Sequence, residues 1–271
     1  MPRPRRDAGS GAPRALAVDR TGAGPRLVLV HGFTQTGRSW RRIATDLARH
    51  HEVLTVDLPG HGRSADVGVR DLPQAGRLVA AAGGEATYVG YSMGGRVALH
   101  AAFSCPGSVR RLVLVGAHPG IADLDERAVR RRADDALARR LEATGKGRLT
   151  IDAFLAEWLA APPFAHLERS AAGLAARREN TTDGLARALR TLGTGTQDYD
   201  AVRLHRLAMP VLIVAGGLDR PYSRLGRRLA GTIGANATFR SIPGVGHAAP
   251  FEAPLLFAEI LASWLTSPGA P

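Results

Sequence analysis

The sequence predicts an α/β fold in which helices flank a mostly parallel central sheet and a block of helices is inserted. Short apolar runs of strand length alternate with helical segments along most of the chain, a pattern typical of strands buried on both faces of a parallel sheet. The alternation stops over residues 120–205, where the pattern is helical throughout. Polar residues directly follow several of the strands, and ligands of parallel sheets bind outside the carboxyl ends of the strands.

Residues 15–119 and 206–271 are predicted to form the α/β core. A short edge strand is expected over 15–18. The buried strands are predicted at 26–30, 52–56, 87–89, 111–115, 210–215 and 237–242. The flanking helices are predicted from residue 40, over 72–82, after Ser92, over 222–233 and over 252–265. This order of elements indicates a sheet covered by helices on both faces.

The intervening residues 120–205 are predicted to form a helical cap inserted into that core. Its helices are predicted over 125–143, 151–159, 167–178 and 183–192, with a break at Pro162-Pro163. Residues 1–14 are predicted to be a disordered basic tail. A signal peptide is not expected there, because no apolar segment follows the arginines.

The composition limits the classes of partner. The chain of 271 residues carries a formal net charge of +12, but its arginines are scattered and no nucleic-acid-binding module is visible. Arginine also suits a small anionic substrate, since its planar guanidinium binds carboxylates in a two-pronged manner. No apolar run reaches the roughly 18 residues of a membrane span. Cys105 is the sole cysteine, which fits a reducing cytoplasm.

No cofactor is expected. The sequence contains no His-x-x-x-His or paired-cysteine spacing that would suggest a metal site. Its glycine-rich runs match neither a phosphate-binding loop nor a dinucleotide fingerprint. The sequence leaves the oligomeric state open, monomer or homo-oligomer, as well as the open or closed position of the cap.

The most informative motif is Gly90-Tyr91-Ser92-Met93-Gly94, which lies between an apolar strand and an apolar helix. A serine at such a sharp turn is held above the sheet, and the two glycines let strand and helix approach closely. The helix directs its first N–H groups and the positive end of its dipole towards the serine oxygen. An ordinary glycine-rich turn is the alternative, but the flanking strand and helix favour Ser92 as an activated hydroxyl.

Asp219 and His247 are the predicted partners of Ser92. A serine needs a neighbouring imidazole to take its proton, and the imidazole needs a carboxylate to fix its tautomer. Each of the two residues follows a predicted strand, at the same edge as Ser92. Asp123 and Asp200 compete for the role of the acid, but Asp219 directly ends a strand and precedes His247 at a suitable spacing.

The other histidines are expected to be structural or exposed. His61 would shape a loop, His100 would pack inside a helix layer, and His50, His51, His166 and His205 would lie at the surface. The oxyanion hole is expected to consist of two backbone N–H groups, those of Met93 and Phe33, from their positions after Ser92 and after His31-Gly32.

These motifs together resemble the α/β-hydrolase superfamily. The resemblance rests on His31-Gly32-Phe33, the segment from Asp57 to Gly62, the Ser92 turn, Asp219 and Gly246-His247, and it covers almost the whole chain from Ala15. It implies the order nucleophile, acid, histidine along the chain, as observed here.

A narrower resemblance is to the MenH family, the 2-succinyl-6-hydroxy-2,4-cyclohexadiene-1-carboxylate synthases of menaquinone biosynthesis. It rests on residues 90–96, 116–120, Glu157-Trp158, Arg178-Glu179-Asn180 and, most distinctively, the Gly-Thr-Gly-x-Gln segment at 193–197. It implies that the serine acts as a base on a substrate C–H and that pyruvate is eliminated. The implied substrate-binding residues are Tyr91, Arg96, Arg130, Trp158 and Arg178.

Two points qualify this assignment. Arg131 or Arg132 could take the place of Arg130, because the three arginines are consecutive. Pro221 lies just after the acid, where a residue favouring a continuous turn is expected.

The first functional hypothesis is a pyruvate-eliminating lyase acting on a polycarboxylate. The alternatives are a serine esterase or carbon–carbon bond hydrolase, and a non-enzymatic ligand-binding member of the fold.

Overall fold

The computed structural model describes residues 15–143 and 150–267, so the predicted tail at 1–14 lies outside the described residues. Its seven strands are β1 (Val18–Thr21), β2 (Arg26–Val30), β3 (Glu52–Val56), β4 (Ala86–Tyr91), β5 (Val109–Val115), β6 (Val211–Gly216) and β7 (Ala237–Ile242). They form one sheet in the order β1-β3-β2-β4-β5-β6-β7. Only β1 is antiparallel to its neighbour, which confirms the predicted mostly parallel sheet.

Eleven α-helices occur in the described part of the chain. They are α1 (Arg41–Leu47), α2 (Leu72–Gly83), α3 (Met93–Ser104), α4 (Leu124–Glu142), α5 (Ile151–Leu159), α6 (Leu174–Arg177), α7 (Thr182–Leu192), α8 (Ala201–His205), α9 (Arg220–Ile233), α10 (Ala249–Glu252) and α11 (Pro254–Thr266). Five of them, α4 to α8, lie between β5 and β6. We call residues 120–205 the helical insertion. No described helix is long and apolar enough to cross a membrane.

The core consists of two apolar layers, one on each face of the sheet. Alternate residues of the central strands enter different layers: Val28 and Tyr88 belong to one, and Leu29 and Val89 to the other. This two-sided burial explains why the strands are continuous apolar runs in the sequence.

Three predicted elements differ from the structure. The edge strand begins at Val18, three residues later than predicted. The helix predicted over 167–178 is restricted to α6, because Gly173 adopts a left-handed conformation with φ 64° directly before it. The closing helix is interrupted at Ala253, since Pro254 disfavours a helical conformation in the residue that precedes it.

Candidate active site

Ser92 lies in a strained turn between β4 and α3. Its φ of 52° is in the left-handed region, which is unusual for a residue with a side chain. The conformation is maintained by a hydrogen bond that its N–H donates to the Val115 carbonyl at 2.8 Å. A Cβ on Gly94 would collide with the backbone carbonyl of Val30, and one on Gly90 with that of Gly94. Glycine is therefore required at both positions for the turn to exist.

The structure brings Ser92, His247 and Asp219 together. His247 Nδ1 lies 2.7 Å from Asp219 Oδ2, and His247 Nε2 lies 3.3 Å from Ser92 Oγ. With the carboxylate as acceptor, Nδ1 carries the proton and Nε2 is free to accept the proton of the serine hydroxyl. The array can thus remove a proton from Ser92 and stabilise the imidazolium that forms.

The two loops that carry Asp219 and His247 are bonded to each other. After β6, the Gly217 N–H donates to the Ile242 carbonyl at 2.7 Å, and the Leu218 N–H donates to that of Val245 at 2.9 Å. These bonds fix the start of α9 against the loop that follows β7. Residues separated by 28 positions in the chain are therefore held within hydrogen-bond distance.

A cavity of about 690 Å³ opens in front of Ser92 and His247. Its wall on the side of the core includes Phe33, Met93 and Arg96, and its wall on the side of the helical insertion includes Arg130 and Trp158. The cavity thus lies between the core and the helical insertion, and both supply lining residues.

Two backbone donors at this cavity are free. Neither the N–H of Phe33 nor that of Met93 donates a hydrogen bond to any residue that the structure describes, and both residues line the cavity. Met93 is the first residue of α3, where N–H groups have no partner within the helix. These two N–H groups are therefore available to an acceptor inside the cavity.

The loop that bears Phe33 is held from several sides. The Leu58 N–H donates to His31 Nε2 at 3.0 Å, so His31 is neutral and its Nδ1–H donates to the Gly32 carbonyl at 2.8 Å. Thr34, at φ 66°, receives hydrogen bonds from two residues of the helical insertion. Arg177 Nη1 donates to its hydroxyl, and Asn180 Nδ2 donates to its carbonyl at 2.7 Å.

A buried cation lines the cavity beside the serine. Arg96 lies one turn after Ser92 on α3 and is only 5% exposed. Its Nη1 has no hydrogen-bond partner among the described residues, and burial lowers the pKa of its guanidinium to about 10. The group is still charged at neutral pH, so it can bind an anion that enters the cavity.

A model of the α/β-hydrolase family matches residues 27–260. The chain belongs to the α/β-hydrolase family. Among curated relatives, the 2-succinyl-6-hydroxy-2,4-cyclohexadiene-1-carboxylate synthase of Photorhabdus laumondii is 31% identical over 252 residues, covering 89% of this chain and 86% of the relative. The synthase of Serratia proteamaculans is 32% identical over 253 residues, covering 90% and 94%.

Two solved structures share the fold of this chain. MenH from S. aureus matches with a TM-score of 0.84 and 28% identity, covering 92% of this chain and 97% of that one. A thermophilic esterase from Thermogutta terrifontis matches with a TM-score of 0.75 and 25% identity, covering 92% of both chains. These relatives are named as enzymes, which supports an enzyme of the α/β-hydrolase fold over a non-catalytic ligand-binding member.

The predicted substrate contacts of this α/β-hydrolase family member fall into two groups. Arg96, Arg130 and Trp158 line the cavity. The side chain of Arg130 is bonded to Asp134, whereas Arg131 and Arg132 are not in the cavity wall.

Tyr91 and Arg178 are placed differently from the prediction. The Tyr91 ring is buried against those of His247 and Phe251, at centroid distances of 5.6 and 5.3 Å, and does not line the cavity. Arg178 is half-exposed and paired with Asp152 at 2.6 Å. The buried arginine is its neighbour Arg177, because a shift of one residue turns a side chain by about 100° around a helix.

Sequence reasoning missed several residues of the site, and two of them contact His247 or its flanking backbone. Glu252 accepts hydrogen bonds from the Gly246 and Ala248 N–H groups at 2.6 and 2.9 Å, so it clamps the backbone on both sides of His247. Tyr222 places its ring 4.7 Å from that of His247 and also lines the cavity. A signal exists for Tyr222, which follows Asp219 by one helical turn. The exposed His166, expected only at the surface, also reaches the cavity wall.

Buried histidines give the fold a pH dependence. Burial lowers the pKa of His31, His100 and His118 to about 4 and that of His61 to about 3. Between these values and about 6.5, the unfolded chain binds more protons than the native one, so stability falls as the pH falls through this range. Each group contributes up to about 1.4 kcal/mol per pH unit.

We therefore expect the urea midpoint to decrease from pH 7 to pH 5. His61→Gln should reduce this dependence, since His61 Nε2 is buried without a partner in the described structure. His50→Gln, at an exposed position, is the control and should leave it unchanged. Equal pH dependence in all three proteins would contradict the assignment to His61.

Proposed function

We propose that the protein is a lyase that eliminates pyruvate from 2-succinyl-5-enolpyruvyl-6-hydroxy-3-cyclohexene-1-carboxylate to give 2-succinyl-6-hydroxy-2,4-cyclohexadiene-1-carboxylate in menaquinone biosynthesis. The observation that carries the proposal is the unpaired buried guanidinium of Arg96 in the cavity of Ser92. The substrate is a polycarboxylate, and a carboxylate removed from water needs such a partner. The names of the curated relatives support the same reaction.

Ser92 is proposed to act as the base. His247 Nε2 takes the hydroxyl proton while Ser92 Oγ takes the proton from C2 of the substrate ring, which is acidic because it lies next to the succinyl ketone. The C2–H electrons form the C2=C3 double bond, the original C3=C4 bond moves to C4=C5, and the C5–O bond breaks. Enolpyruvate leaves as its enolate and becomes pyruvate by taking the proton held on His247 Nε2, which restores the neutral imidazole and the Ser92 hydroxyl.

The free N–H groups of Phe33 and Met93 have a defined task in this reaction. Removal of the C2 proton places negative charge on the succinyl ketone oxygen. Fixed donors aimed at that charge stabilise the transition state without reorganising. Asp219 holds the tautomer of His247 and stabilises its cation.

The substrate is proposed to be enclosed between the core and the helical insertion, with residues 120–205 acting as a cap. Arg96, Arg130 and Trp158 are the proposed contacts. No cofactor takes part in the proposed reaction. We also propose a cytoplasmic site of action, in line with the single cysteine.

A serine esterase or carbon–carbon bond hydrolase is the second candidate. The strained Ser92, its hydrogen bond to His247 and the two free N–H groups also suit attack on an ester carbonyl. The similarity to the Thermogutta terrifontis esterase favours it.

One paired assay separates the candidates. The purified protein is given the cyclohexene substrate, and pyruvate is followed by a coupled dehydrogenase; in parallel it is given p-nitrophenyl butyrate. We expect one pyruvate per substrate and slow ester turnover without an acyl-Ser92 adduct. Absence of pyruvate, together with rapid ester turnover and a trapped acyl-Ser92, would establish the esterase instead.

A further inference from the structure

Besides Asp219, a second acidic residue lies in the wall of this cavity. Asp134 is only 6% exposed and lines the cavity together with Arg130, one turn earlier on α4. A carboxylate at this place repels an anionic substrate and loses hydration on burial. We therefore expect Asp134 to have a role whose benefit exceeds the repulsion of the substrate and the loss of hydration.

Asp134 accepts two hydrogen bonds, one at each oxygen of its carboxylate. Arg130 Nε donates to Oδ1 at 2.9 Å, and the Gly195 N–H donates to Oδ2 at 3.2 Å. The carboxylate thus connects an arginine of the cavity wall to the backbone of the segment 193–195. Because that backbone is fixed against α4, it provides a rigid support for the carboxylate.

The close approach of this segment explains its glycines. A Cβ on Gly193 would lie 2.6 Å from Asp134 Oδ2, and one on Gly195 would collide with the backbone of Arg131. The distinctive Gly-Thr-Gly pattern is thus required for the 193–195 backbone to reach Asp134.

The pairing leaves part of the Arg130 guanidinium available. Asp134 engages only Nε, while Nη1 and Nη2 donate no hydrogen bond to any described residue. These two nitrogens form the outer edge of the planar group, which can bind a carboxylate in a two-pronged manner. An arginine held at Nε keeps this edge in one orientation, whereas an unsupported side chain would sample many rotamers.

We propose that Asp134 is a positioning residue, which holds Arg130 through Nε and directs its outer edge to a carboxylate of the substrate. The proposal rests on the anionic substrate of the proposed function. Two lesser roles are possible outcomes of a test. Asp134 could act only as an anchor for the segment 193–195, or only as a counter-charge to the arginines.

The test is a double-mutant cycle on ligand binding. The probe is 4-(2-carboxyphenyl)-4-oxobutanoate, a stable dicarboxylate that carries the ring and succinyl carboxylates of the proposed substrate, and its Kd is measured by calorimetry. Asp134→Asn suits the cycle because an amide offers one acceptor oxygen and cannot accept from both donors. Asp135→Asn, the neighbouring acid on the same helix, is the matched control. Asp134→Ser replaces Asp134→Asn if the latter does not fold.

We expect Asp134→Asn to weaken binding by about tenfold, Arg130→Ala to weaken it at least as much, and the double variant to match Arg130→Ala within about twofold. Asp135→Asn should not change Kd. In turnover, Asp134→Asn should raise KM by the same factor and leave kcat unchanged.

Three results would overturn the proposal. If Asp134→Asn weakened probe binding by the same factor in the wild type and in Arg130→Ala, Asp134 would act only as an anchor for the segment 193–195. If Asp134→Asn bound the probe more tightly than the wild type, Asp134 would act only as a counter-charge to the arginines. Failure of the wild type to bind the probe would remove the carboxylate site. If the cycle shows coupling but the wild type releases no pyruvate, the proposed reaction fails and the role of Asp134 stands.

Discussion

Ser92→Ala is expected to lower kcat for pyruvate release by about 10³-fold or more, while the Kd for the dicarboxylate probe changes by less than about twofold. The hydroxyl is the proposed base, and it lies 3.3 Å from His247 Nε2. Alanine removes the base but leaves the guanidinium of Arg96 and the free N–H groups in place. Steady-state kinetics with the coupled assay and calorimetry measure the two quantities.

Ser263→Ala is the control for this substitution. Ser263 is exposed on α11, away from the cavity lining, and the variant should have wild-type kinetics. If Ser92→Ala kept more than about a tenth of the activity, His247 or water would have to act on the substrate directly, and the role of the serine as base would be wrong.

Arg96→Met is expected to lower kcat/KM by about 10² to 10³-fold, because truncating one partner of a buried charge pair costs about 2–5 kcal/mol. The same change should raise the melting temperature. In the free protein the guanidinium is buried with Nη1 unpaired, so an apolar chain of similar length removes a desolvation cost. Activity and stability are thus predicted to change in opposite directions.

Arg42→Met is the matched control, since Arg42 is exposed on α1. It should alter neither kcat/KM nor the melting temperature. A lower melting temperature with unchanged kinetics in Arg96→Met would show that Arg96 has a structural role and binds no carboxylate.

The sequence predicts the close approach of these three side chains because each of the residues follows a strand. Parallel strands end at one edge of the sheet, so a local pattern after β4, β6 and β7 suffices to bring Ser92, Asp219 and His247 together. The conformation of Ser92 follows in the same way from the adjacent glycines.

The sequence does not show which of Arg177 and Arg178 is buried. Its register depends on Gly173 at the start of α6 and on the bond between Arg177 and Thr34, which lie 143 positions apart. Glu252 was missed for a related reason, since backbone N–H groups leave no mark in a sequence. Asp134 was also missed, although it follows Arg130 by four residues on a helix, a spacing at which side chains can pair.

The contacts of Arg177 and Asn180 with Thr34 have a consequence for how this chain can be recombined. The helical insertion supplies two of the bonds that support the loop of Phe33, so the donor on one side of Ser92 depends on residues from both parts of the chain. The insertion is therefore not an exchangeable module. Under the proposed function, a chimera that takes residues 120–205 from another α/β-hydrolase must retain an arginine and an asparagine at these two positions, because their loss would displace the Phe33 N–H as well as change the substrate contacts.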